Sequence, residues 1–512
     1  MSLYHETAEI LLMNSGSLRS RIFGKKNLKS QPAQVFALAI ESCKWNIVLK
    51  EIIENADFLR LERKVTPVLS ILLVHDLLLA KRGIALPATH GLRTAIERYK
   101  ARLLAEFTKA RIRRKLTSLE AFKEHIEAGL ERREDASIKP YPRWVRINTL
   151  KTTLKDELEK SFSDYQQVTT LEDVRKTASK LFYIDKHIPN LIALSPTIEI
   201  SRSVAYKSGA IIFQDKSSCF PAYLLNPLPV DGDVIDACSA PGNKTTHLAA
   251  ILQSLSSEKV SLFQAIHAFE KNKQRAEIME KMVKLAGASH RIKFNSGEDF
   301  LNTDPSSSIF DHVGALLLDP SCSGSGIIDR EEIPHLQVPS INKCSLSDGL
   351  KQKKRFVKTV PAKIKTQKRK YEETEDMNFL VDDEGEITAL ESSRELEVRL
   401  IALSSFQLKL LLHAFKFPAA RKITYSTCST YAQENELVVI KALEDPDVKK
   451  RGWRILKREE QICGMRDWPV RGLQEACGEH KNLAEACIRT NKGDDHGTMG
   501  FFVAAFVRDQ IQ

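Results

Sequence analysis

The feature that most constrains the fold is an alternation of strand-like and helix-like segments that begins near residue 208. Short apolar runs of strand length each end in a polar loop, and helical patterns follow several of them. The strand-like segments are DVIDAC (233–238), QAIHAFE (264–270), RIKFNSGEDF (291–300), HVGALLLDPSCSGSG (312–326) and RKITYSTCS (421–429). This alternation predicts an α/β fold with a doubly wound, mainly parallel sheet. In such sheets ligands bind beyond the carboxyl ends of the strands, where these polar loops lie.

Two smaller regions precede this sheet domain, which we place at 208–510. Residues 1–135 have apolar side chains at helical spacing and predict a helical N-terminal domain. Residues 136–207 predict a small α+β module, because the extended segment PYPRWVRINTLK (140–151) is followed by a helical pattern. Arg143 and Arg146 make it a candidate RNA-binding module.

A charged segment interrupts the sheet domain at 335–395. Within it, 351–370 holds ten Lys or Arg and no acid, and 372–386 holds eight Asp or Glu. Low hydrophobicity and blocks of like charge predict a disordered insertion. The basic block fits a nuclear import signal better than an RNA-binding tail, because the acidic run beside it would repel RNA.

The overall charge favours a polyanionic partner. The chain has 77 Lys and Arg against 66 Asp and Glu, a net charge of +11. Cationic side chains release counterions from phosphates, although a basic enzyme without nucleic acid could have the same composition. The candidate phosphate-binding residues are Arg111, Arg113, Arg114 and Lys115 on a helical stretch, and Arg143 and Arg146 on the extended segment. A solvated helix face explains the first group equally well.

The cysteines are scattered and show no motif spacing. They lie at 43, 219, 238, 322, 344, 428, 463, 477 and 487, and no two have CxxC spacing. This pattern indicates thiols in a reducing compartment, and neither a disulfide framework nor a zinc site, so we expect no metal. The most apolar stretch, 68–80, contains His75 and Asp76 and is shorter than the roughly 20 residues of a membrane span. We therefore expect a buried helix there and no membrane partner, and we see no signal peptide.

The loop DACSAPGNKTTH (236–247) follows the first strand of the sheet domain and contains Gly242. A glycine turn before a helix lets backbone N–H groups approach a ligand, but the loop is neither GxGxxG nor a P-loop. Glu270, at the end of the next strand, is placed to accept hydrogen bonds from ribose hydroxyls, and Asp299, after the third, from an adenine amino group. Either acid alone is better explained as a helix cap. Three such features at successive strand ends favour a nucleoside-type cofactor.

Two cysteines lie in polar loops that follow neighbouring strands, Cys322 in DPSCSGSG (319–326) and Cys428 in YSTCS (425–429). A buried cysteine is usually only a small apolar side chain, whereas these two lie among Ser, Thr, Gly and Asp. One reaction that needs such a thiol is methylation of carbon 5 of cytosine. That carbon is a poor nucleophile until a thiolate adds at carbon 6 and makes the ring enamine-like. A carboxyl beside the base, a role that Asp319 fits, eases the addition by hydrogen bonding to N3 and the amino edge.

These motifs together resemble the Sun-type RNA cytosine-5 methyltransferases. The resemblance is carried by DACSAPGNKT, DPSCSGSG, YSTCS…QENE, PRWVRINTLK, FQDKSS (213–218) and HGTMGFFVAAF (496–506), and it covers about 135–330 and 395–508. Each motif alone is weak, but their combination in this order is highly specific. The resemblance implies a Rossmann-like catalytic core that uses S-adenosyl-L-methionine to methylate carbon 5 of a cytosine in RNA.

The resemblance also implies roles for individual residues. Cys428 is the attacking thiol, Cys322 helps release the methylated RNA, and Lys244 approaches the target base beside Asp319. The implied cofactor contacts are Cys238, Ser239, Ala240, Pro241, Gly242, Asn243, Lys244, Glu270, Arg275, Asp299 and Asp319.

Two positions depart from the common family pattern. Ser321 stands directly before Cys322, where the family commonly has proline, and Met499 stands where an acid is common. The serine, together with LLVHDLLLAKRGI (72–84), resembles the eukaryotic branch that acts on large-subunit ribosomal RNA. That branch implies ribosomal RNA or a pre-ribosomal particle as the partner and a nuclear, nucleolar location. We expect the chain to act as a monomer.

Other functions remain open at this point. The same chemistry could act on another RNA such as tRNA, although the extra RNA-binding domain of the tRNA-modifying branches is not apparent in the sequence. A ribosome-assembly factor could keep the fold without the activity, but the presence of Cys322, Cys428, Asp319 and Glu270 argues against it. A methyltransferase for protein or small molecules would have no use for two cysteines, and its typical Asn/Asp-Pro-Pro-aromatic loop is absent from the sequence.

Overall fold

The chain divides into two compact units. One contains residues 1–132, 333–379 and 389–392, and the other contains 133–332, 380–388 and 393–512. The computed structural model describes residues 3–13, 18–23, 25, 28–127, 141–176, 179–255, 264–327, 336–340, 379–381, 387–389 and 393–508.

Within the described residues of 1–132, the regular elements are all helices. Thr66 caps the helix that starts at Pro67 by accepting a hydrogen bond from the Leu69 amide, and Leu72 and Leu73 inside that helix are fully buried. The expected buried helix at 68–80 is therefore confirmed. The helices are α1 (Leu3–Leu11), α2 (Leu18–Phe23), α3 (Pro32–Lys44), α4 (Asn46–Asn55), α5 (Phe58–Leu61), α6 (Pro67–Leu78), α7 (Gly91–Arg98), α8 (Lys100–Arg113) and α9 (Leu119–Glu127).

The basic end of α8 makes contacts within its own unit. Arg113 and Arg114 both pair with the carboxylate of Glu51, and the Arg114 side chain is only 16% exposed. Arg111 donates a hydrogen bond to the carbonyl of Leu116 at 3.3 Å. These contacts favour a structural role for the three arginines over an open phosphate-binding surface.

The second unit begins with a five-stranded sheet in the order β2-β3-β4-β1-β5. The predicted extended segment forms β1, which pairs antiparallel with β4 on one side and with β5 on the other. The edge strand β5 lies beyond the predicted module boundary at 207. The elements of this module are β1 (Arg143–Ile147), α10 (Leu154–Lys160), β2 (Gln166–Gln167), α11 (Leu171–Lys176), β3 (Leu181–Ile184), β4 (Leu191–Leu194), α12 (Val204–Ser208) and β5 (Ile211–Phe213).

The larger sheet of this unit has eight strands and is the predicted doubly wound, mainly parallel sheet. Its order is β13-β15-β12-β9-β6-β7-β8, with β14 paired to β15, and the five strands from β12 to β8 in this order run parallel. The eight strands and the helices around them are α13 (Lys216–Leu225), β6 (Asp233–Asp236), α14 (Asn243–Leu255), β7 (Ile266–Glu270), α15 (Lys273–Ala286), β8 (Ile292–Ser296), β9 (Val313–Leu318), α16 (Ser393–Ala414), β12 (Lys422–Thr427), α17 (Glu436–Glu444), α18 (Pro446–Lys450), β13 (Trp453–Ile455), α19 (Cys463–Arg466), α20 (Gln474–Cys477), α21 (Lys481–Ala486), β14 (Ile488–Thr490) and β15 (Phe501–Arg508). The strands β10 (Phe379–Val381) and β11 (Ile387–Ala389) pair with each other in a separate two-stranded sheet.

The core of this sheet is continuous across its central strands. Ile235 of β6, Leu316 of β9 and Ile423 of β12 lie side by side in register, and all three are fully buried. Central parallel strands covered on both faces carry continuous apolar runs, and the buried sequence VGALLL of β9 is such a run. The strand that carries Asp319 at its end is thus fixed in the middle of the core.

The predicted charged insertion lies largely outside the described residues. Its described pieces are 336–340, the paired strands β10 and β11, and the start of α16. Cys344 and the basic block 351–370 also lie outside them. Among the described helices, none is long and apolar enough to cross a membrane.

The core packing predicts a large loss of stability for Ile235→Ala. Removal of a fully buried isoleucine leaves a cavity and lowers the free energy of unfolding by about 2–5 kcal/mol. The matched substitution Ile309→Ala, at a side chain that is 66% exposed, should change it by less than about 0.5 kcal/mol. Urea denaturation followed by fluorescence measures both, and equal effects would contradict this account of the core.

Candidate active site

The carboxyl ends of the parallel strands β6, β9 and β12 meet at one edge of the sheet. Because these strands are adjacent, the loops that follow Asp236, Leu318 and Thr427 come together there. The structure therefore brings the predicted cofactor loop (236–247) and both cysteine loops to one place.

The cofactor loop is held by hydrogen bonds to its neighbours. The Ser239 amide and hydroxyl both donate to the carbonyl of Phe269, at 2.9 and 2.8 Å. The Thr245 hydroxyl donates to Asp236 at 2.7 Å, which fastens the first turn of α14 to the end of β6. Gly242 has φ +105, a conformation that other residues rarely adopt, so the turn needs glycine here.

A cavity of about 370 Å³ lies beside this loop. Five of the predicted cofactor contacts line it: Cys238, Glu270, Arg275, Asp299 and Asp319. The other predicted contacts, 239–244, do not line it. Residues that the sequence analysis missed are Ala237, Phe269, Lys271, Asn272, Glu298, Phe300, Ser321, Phe406 and Leu410.

Two acids of the cavity wall, Glu270 and Asp299, also have local partners. Glu270 accepts a hydrogen bond from the Asn272 amide at 2.9 Å. Asp299 accepts from the Leu301 amide at 3.0 Å and pairs with Lys271 at 2.9 Å. Burial tends to raise the pKa of Asp299, but these bonds outweigh burial and lower it. Asp299 is thus an anionic cap of a short 3-10 turn, and its position on the cavity wall leaves it available to a ligand as well.

Apolar side chains form the rest of the cavity wall. Phe406 and Leu410 come from α16, which follows the charged insertion, and Phe300 follows β8. This lining suits a purine nucleoside. The apolar groups can contact its flat base, and acids such as Glu270 and Asp299 can accept hydrogen bonds from its polar groups. The position of α16 had no sequence signal, since it depends on tertiary packing alone.

The two thiols lie next to each other. Cys322 Sγ and Cys428 Sγ are 3.0 Å apart, and Cys322 is 2% exposed whereas Cys428 is half-buried. The Gly326 amide donates to the carbonyl of Cys428 at 2.8 Å, so the two loops are also joined through their backbones. The predicted pair of neighbouring thiols is therefore present.

Glu434, from the QENE motif, accepts a hydrogen bond from the loop that carries Cys322. Its fully buried carboxylate accepts from the Ser323 amide at 3.0 Å and from the Gln407 side chain at 2.9 Å. Gln407 in turn donates to the carbonyl of Ser321 at 3.0 Å. The motif thus has a structural explanation that the sequence alone did not supply.

Lys244 and Asp319 form an ion pair at the same edge of the sheet. Lys244 Nζ lies 2.6 Å from Asp319 Oδ2, and the Ser426 hydroxyl donates to Asp319 Oδ1 at 2.5 Å. Burial acts to lower the pKa of Lys244, but the carboxylate of Asp319 outweighs burial and raises it. The lysine is therefore a fixed cation beside the thiols.

Arg146 does not lie on a phosphate-binding surface, and that prediction is wrong. Its side chain is 1% exposed and points into the protein, where it donates to Gln214 at 2.6 Å and to Thr246 at 2.9 Å. The neighbouring Arg143 guanidinium lies over the ring of Phe213, 5.3 Å from its centroid. Alternation of side chains along β1 could not distinguish an inward arginine from an outward one.

No cluster of three His, Cys, Asp or Glu side chains that could hold a metal ion occurs within the residues that the structure describes. The site thus consists of two thiols, an ion pair and an acid-lined cavity at the carboxyl edge of a parallel sheet. Together with the fold, it places the chain in the class of Rossmann-like methyltransferases.

Comparisons with known proteins agree with this class. A family model for the N-terminal domain of NOL1/NOP2/Sun domain family member 5 matches residues 33–121, and one for the ferredoxin-like domain of that member matches 141–214. A model of the 16S rRNA methyltransferase RsmB/F matches 222–367.

Individual relatives align over the whole chain. The 25S rRNA (cytosine-C(5))-methyltransferase rcm1 of Schizosaccharomyces pombe is 35% identical, and the alignment covers 100% of this chain and 92% of that one. The 28S rRNA (cytosine-C(5))-methyltransferase of Mus musculus is 31% identical, with the same two coverages of 100% and 92%. The crystal structure of the protein PH0851 covers 99% of this chain and 97% of its own at a TM-score of 0.51 and 16% identity, which shows the fold alone.

The chain belongs to the NOL1/NOP2/Sun domain family of RNA methyltransferases. The family inferred from the motifs is therefore confirmed, including its resemblance to the branch whose members are named for large-subunit ribosomal RNA.

The site predicts an unusual pH dependence of stability at Asp236. Burial raises the pKa of this carboxyl from 3.8 to about 7, although Thr245 donates to it. Between these values the folded chain holds a proton that the unfolded chain has lost, so stability falls as pH rises, by up to about 1.4 kcal/mol per pH unit. Asp236→Asn removes this loss, so the stability of the variant relative to the wild type should increase from pH 4 to pH 7.

Denaturant titrations across that pH range measure the difference. The control is Asp311→Asn at an exposed position, which should keep the dependence of the wild type. Parallel curves for Asp236→Asn and the wild type would show that Asp236 is ionised in the folded chain at low pH.

Proposed function

We propose that this chain transfers a methyl group from S-adenosyl-L-methionine to carbon 5 of a cytosine in large-subunit ribosomal RNA. The relatives named for 25S and 28S rRNA support this substrate, since they align over the full chain at 35% and 31% identity. The observation that carries the chemistry is the 3.0 Å separation of the Cys322 and Cys428 sulfurs beside the Lys244–Asp319 pair.

The reaction uses the two thiols in succession. The Cys428 thiolate adds to carbon 6 of the cytosine, and the electrons of the C5–C6 double bond move to carbon 5, which then attacks the methyl group. A base, such as a water molecule, then takes the proton of carbon 5. The electron pair of that C–H bond restores the C5–C6 double bond and expels the Cys428 thiolate. Cys322, adjacent to the nucleophile, is placed to take part in this release.

The ion pair stabilises the charges of the addition step. The ammonium of Lys244 favours negative charge near Cys428, because a fixed cation in a buried site needs no reorganisation. Asp319, held by Lys244 and Ser426, is placed to hydrogen-bond the amino edge of the base. The target carbon is unreachable inside a stacked helix, so the cytosine must be unpaired or flipped out of its stack.

S-adenosyl-L-methionine supplies the electrophilic methyl group when it is bound. The cavity fits its nucleoside part, because Glu270 and Asp299 are hydrogen-bond acceptors and Phe300 and Phe406 offer apolar surface. Asp319 lines the same cavity and also belongs to the ion pair, so the cofactor cavity adjoins the thiol site.

Two other functions are less well supported. Methylation of another RNA, such as tRNA, would use the same residues, but the aligned relatives are named for large-subunit rRNA. A ribosome-assembly factor without activity would not need to keep two adjacent thiols beside an ion pair. The proposed substrate also implies a nuclear, nucleolar location. Action as a monomer stays a prediction.

The thiol assignment predicts opposite outcomes for two cysteine variants. Cys428→Ala should abolish methylation, because nothing adds to carbon 6. Cys322→Ala should accumulate a covalent protein–RNA adduct, because addition proceeds and release fails. Cys463→Ala, at an exposed cysteine away from the site, should behave as the wild type.

Bisulfite sequencing of total RNA from cells that carry only one variant measures methylation, and denaturing gels detect the adduct. A cytosine in large-subunit rRNA should lose its methyl group with Cys428→Ala and keep it with Cys463→Ala. Full methylation by Cys428→Ala would show that another group attacks the base, and loss at a tRNA position alone would change the proposed substrate.

The cavity predicts that Glu270→Gln weakens cofactor binding. The neutral amide loses charge-assisted hydrogen bonds to the ribose, each worth roughly 1.5–3 kcal/mol, so affinity should fall about tenfold to a hundredfold. Glu277→Gln, an exposed position on α15 outside the cavity, should leave affinity unchanged. Calorimetric titration with S-adenosyl-L-methionine measures both, and equal affinities would remove Glu270 from the binding site.

A further inference from the structure

We infer that Arg146, on strand β1 of the small module, is a positioning residue that fixes the ammonium group of Lys244 beside Asp319. The inference rests on the proposed role of Lys244 in the reaction. Nothing in the motif PRWVRINTLK assigns this task to Arg146, and its sequence context suggested a contact with phosphate instead.

The guanidinium of Arg146 is a buried cation without an acid partner. It is 1% exposed, and in the described part of the chain no carboxylate pairs with it; its acceptors are the side chains of Gln214 and Thr246 and the carbonyl of Asn243. Burial lowers the pKa of Arg146 to about 10, so it remains charged at neutral pH. A buried charge with neutral partners is expensive for folding, which points to a requirement other than stability.

One set of contacts holds the backbone that carries Lys244. Arg146 Nη2 donates to the carbonyl of Asn243 at 3.4 Å and to the hydroxyl of Thr246 at 2.9 Å. Asn243 directly precedes Lys244, and Thr246 lies two residues after it, in the first turn of α14. Arg146 therefore hydrogen-bonds to residues that precede and follow Lys244 in the chain.

A second set of contacts reaches the ammonium itself. Arg146 Nε donates to Gln214 Oε1 at 2.6 Å, and the amide of Gln214 donates to the carbonyl of Ser218 at 3.1 Å. The Ser218 hydroxyl accepts from Lys244 Nζ at 3.2 Å. Arg146 is thus connected to both the main chain and the side chain of Lys244, whose Nζ lies 2.6 Å from Asp319.

The cofactor cavity is separate from these contacts. None of Arg146, Gln214, Ser218 and Lys244 lines it. A substitution at Arg146 or Ser218 should therefore move the ammonium without a direct change in the cofactor contacts. This separation gives the role a kinetic signature, a lower kcat at unchanged cofactor affinity.

The test compares Ser218→Ala and Arg146→Lys with Ser218→Thr and Arg454→Lys. Ser218→Ala removes the acceptor of Lys244 Nζ, and kcat should fall roughly tenfold while KM for RNA and the affinity for S-adenosyl-L-methionine stay within about twofold. Ser218→Thr keeps the hydroxyl and should restore most of kcat. Arg146→Lys keeps the charge but loses the planar fork, so kcat should fall about tenfold to a hundredfold. Arg454→Lys also loses a planar fork, one that pairs with Glu460, and should keep the kcat of the wild type.

A second measurement does not depend on activity. Trace acetylation with acetic anhydride, read by peptide mass spectrometry, reports how accessible Lys244 Nζ is, and its rate should rise severalfold in Ser218→Ala and Arg146→Lys. If Arg146→Lys fails to fold, Ser218→Ala still carries the test, because Ser218 is only half-buried. Wild-type kcat together with unchanged labelling of Lys244 would overturn the inference while leaving the proposed function intact. Absence of methylation by the wild type, with increased labelling in the variants, would instead overturn the proposed function alone.

Discussion

The site depends on the parallel pairing of β9 between β6 and β12. In this register Asp236 lies opposite Leu317, and Leu318 lies opposite Tyr425, so the three strands end together. The pairing brings Cys322 and Cys428, which are 106 residues apart in the chain, to adjacent positions. A slip of one residue would turn every side chain of a strand to the other face of the sheet, so the apolar residues of β9 also fix the position of the thiols.

Buried polar groups then fix the loops that leave these strands. Glu434 and Gln407 hold the Cys322 loop, while Asn435 donates to the carbonyl of Ser429, next to Cys428, at 2.9 Å. Such groups destabilise a core when they lack partners, and they make it rigid when their hydrogen bonds are formed. The proposed reaction uses both thiols on one ring, and these hydrogen bonds hold the loops that carry the thiols in a defined arrangement.

The sequence predicted those parts of the site whose positions follow from the succession of strands and loops along the chain. Glu270 ends strand β7, and Asp319, Cys322 and Cys428 lie in the loops that follow β9 and β12, so the parallel sheet alone predicts that they lie at one edge. Residues brought in by tertiary packing were not predictable in this way. Phe406 reaches the cofactor cavity from a helix that follows a long charged insertion, and no local pattern connects the two.

Arg146 shows why charge in a sequence is a poor guide to a binding surface. It was grouped with candidate phosphate contacts because of its charge, yet its guanidinium is buried behind the cofactor loop. Arg489 is likewise buried and forms two hydrogen bonds of 2.6 Å with Glu436, and Arg113 and Arg114 share the carboxylate of Glu51. Some of the 77 Lys and Arg side chains thus have their partners inside the protein. Only cations that remain exposed can release counterions from a polyanion, so the number of Lys and Arg residues overstates the cations that are open to such a partner.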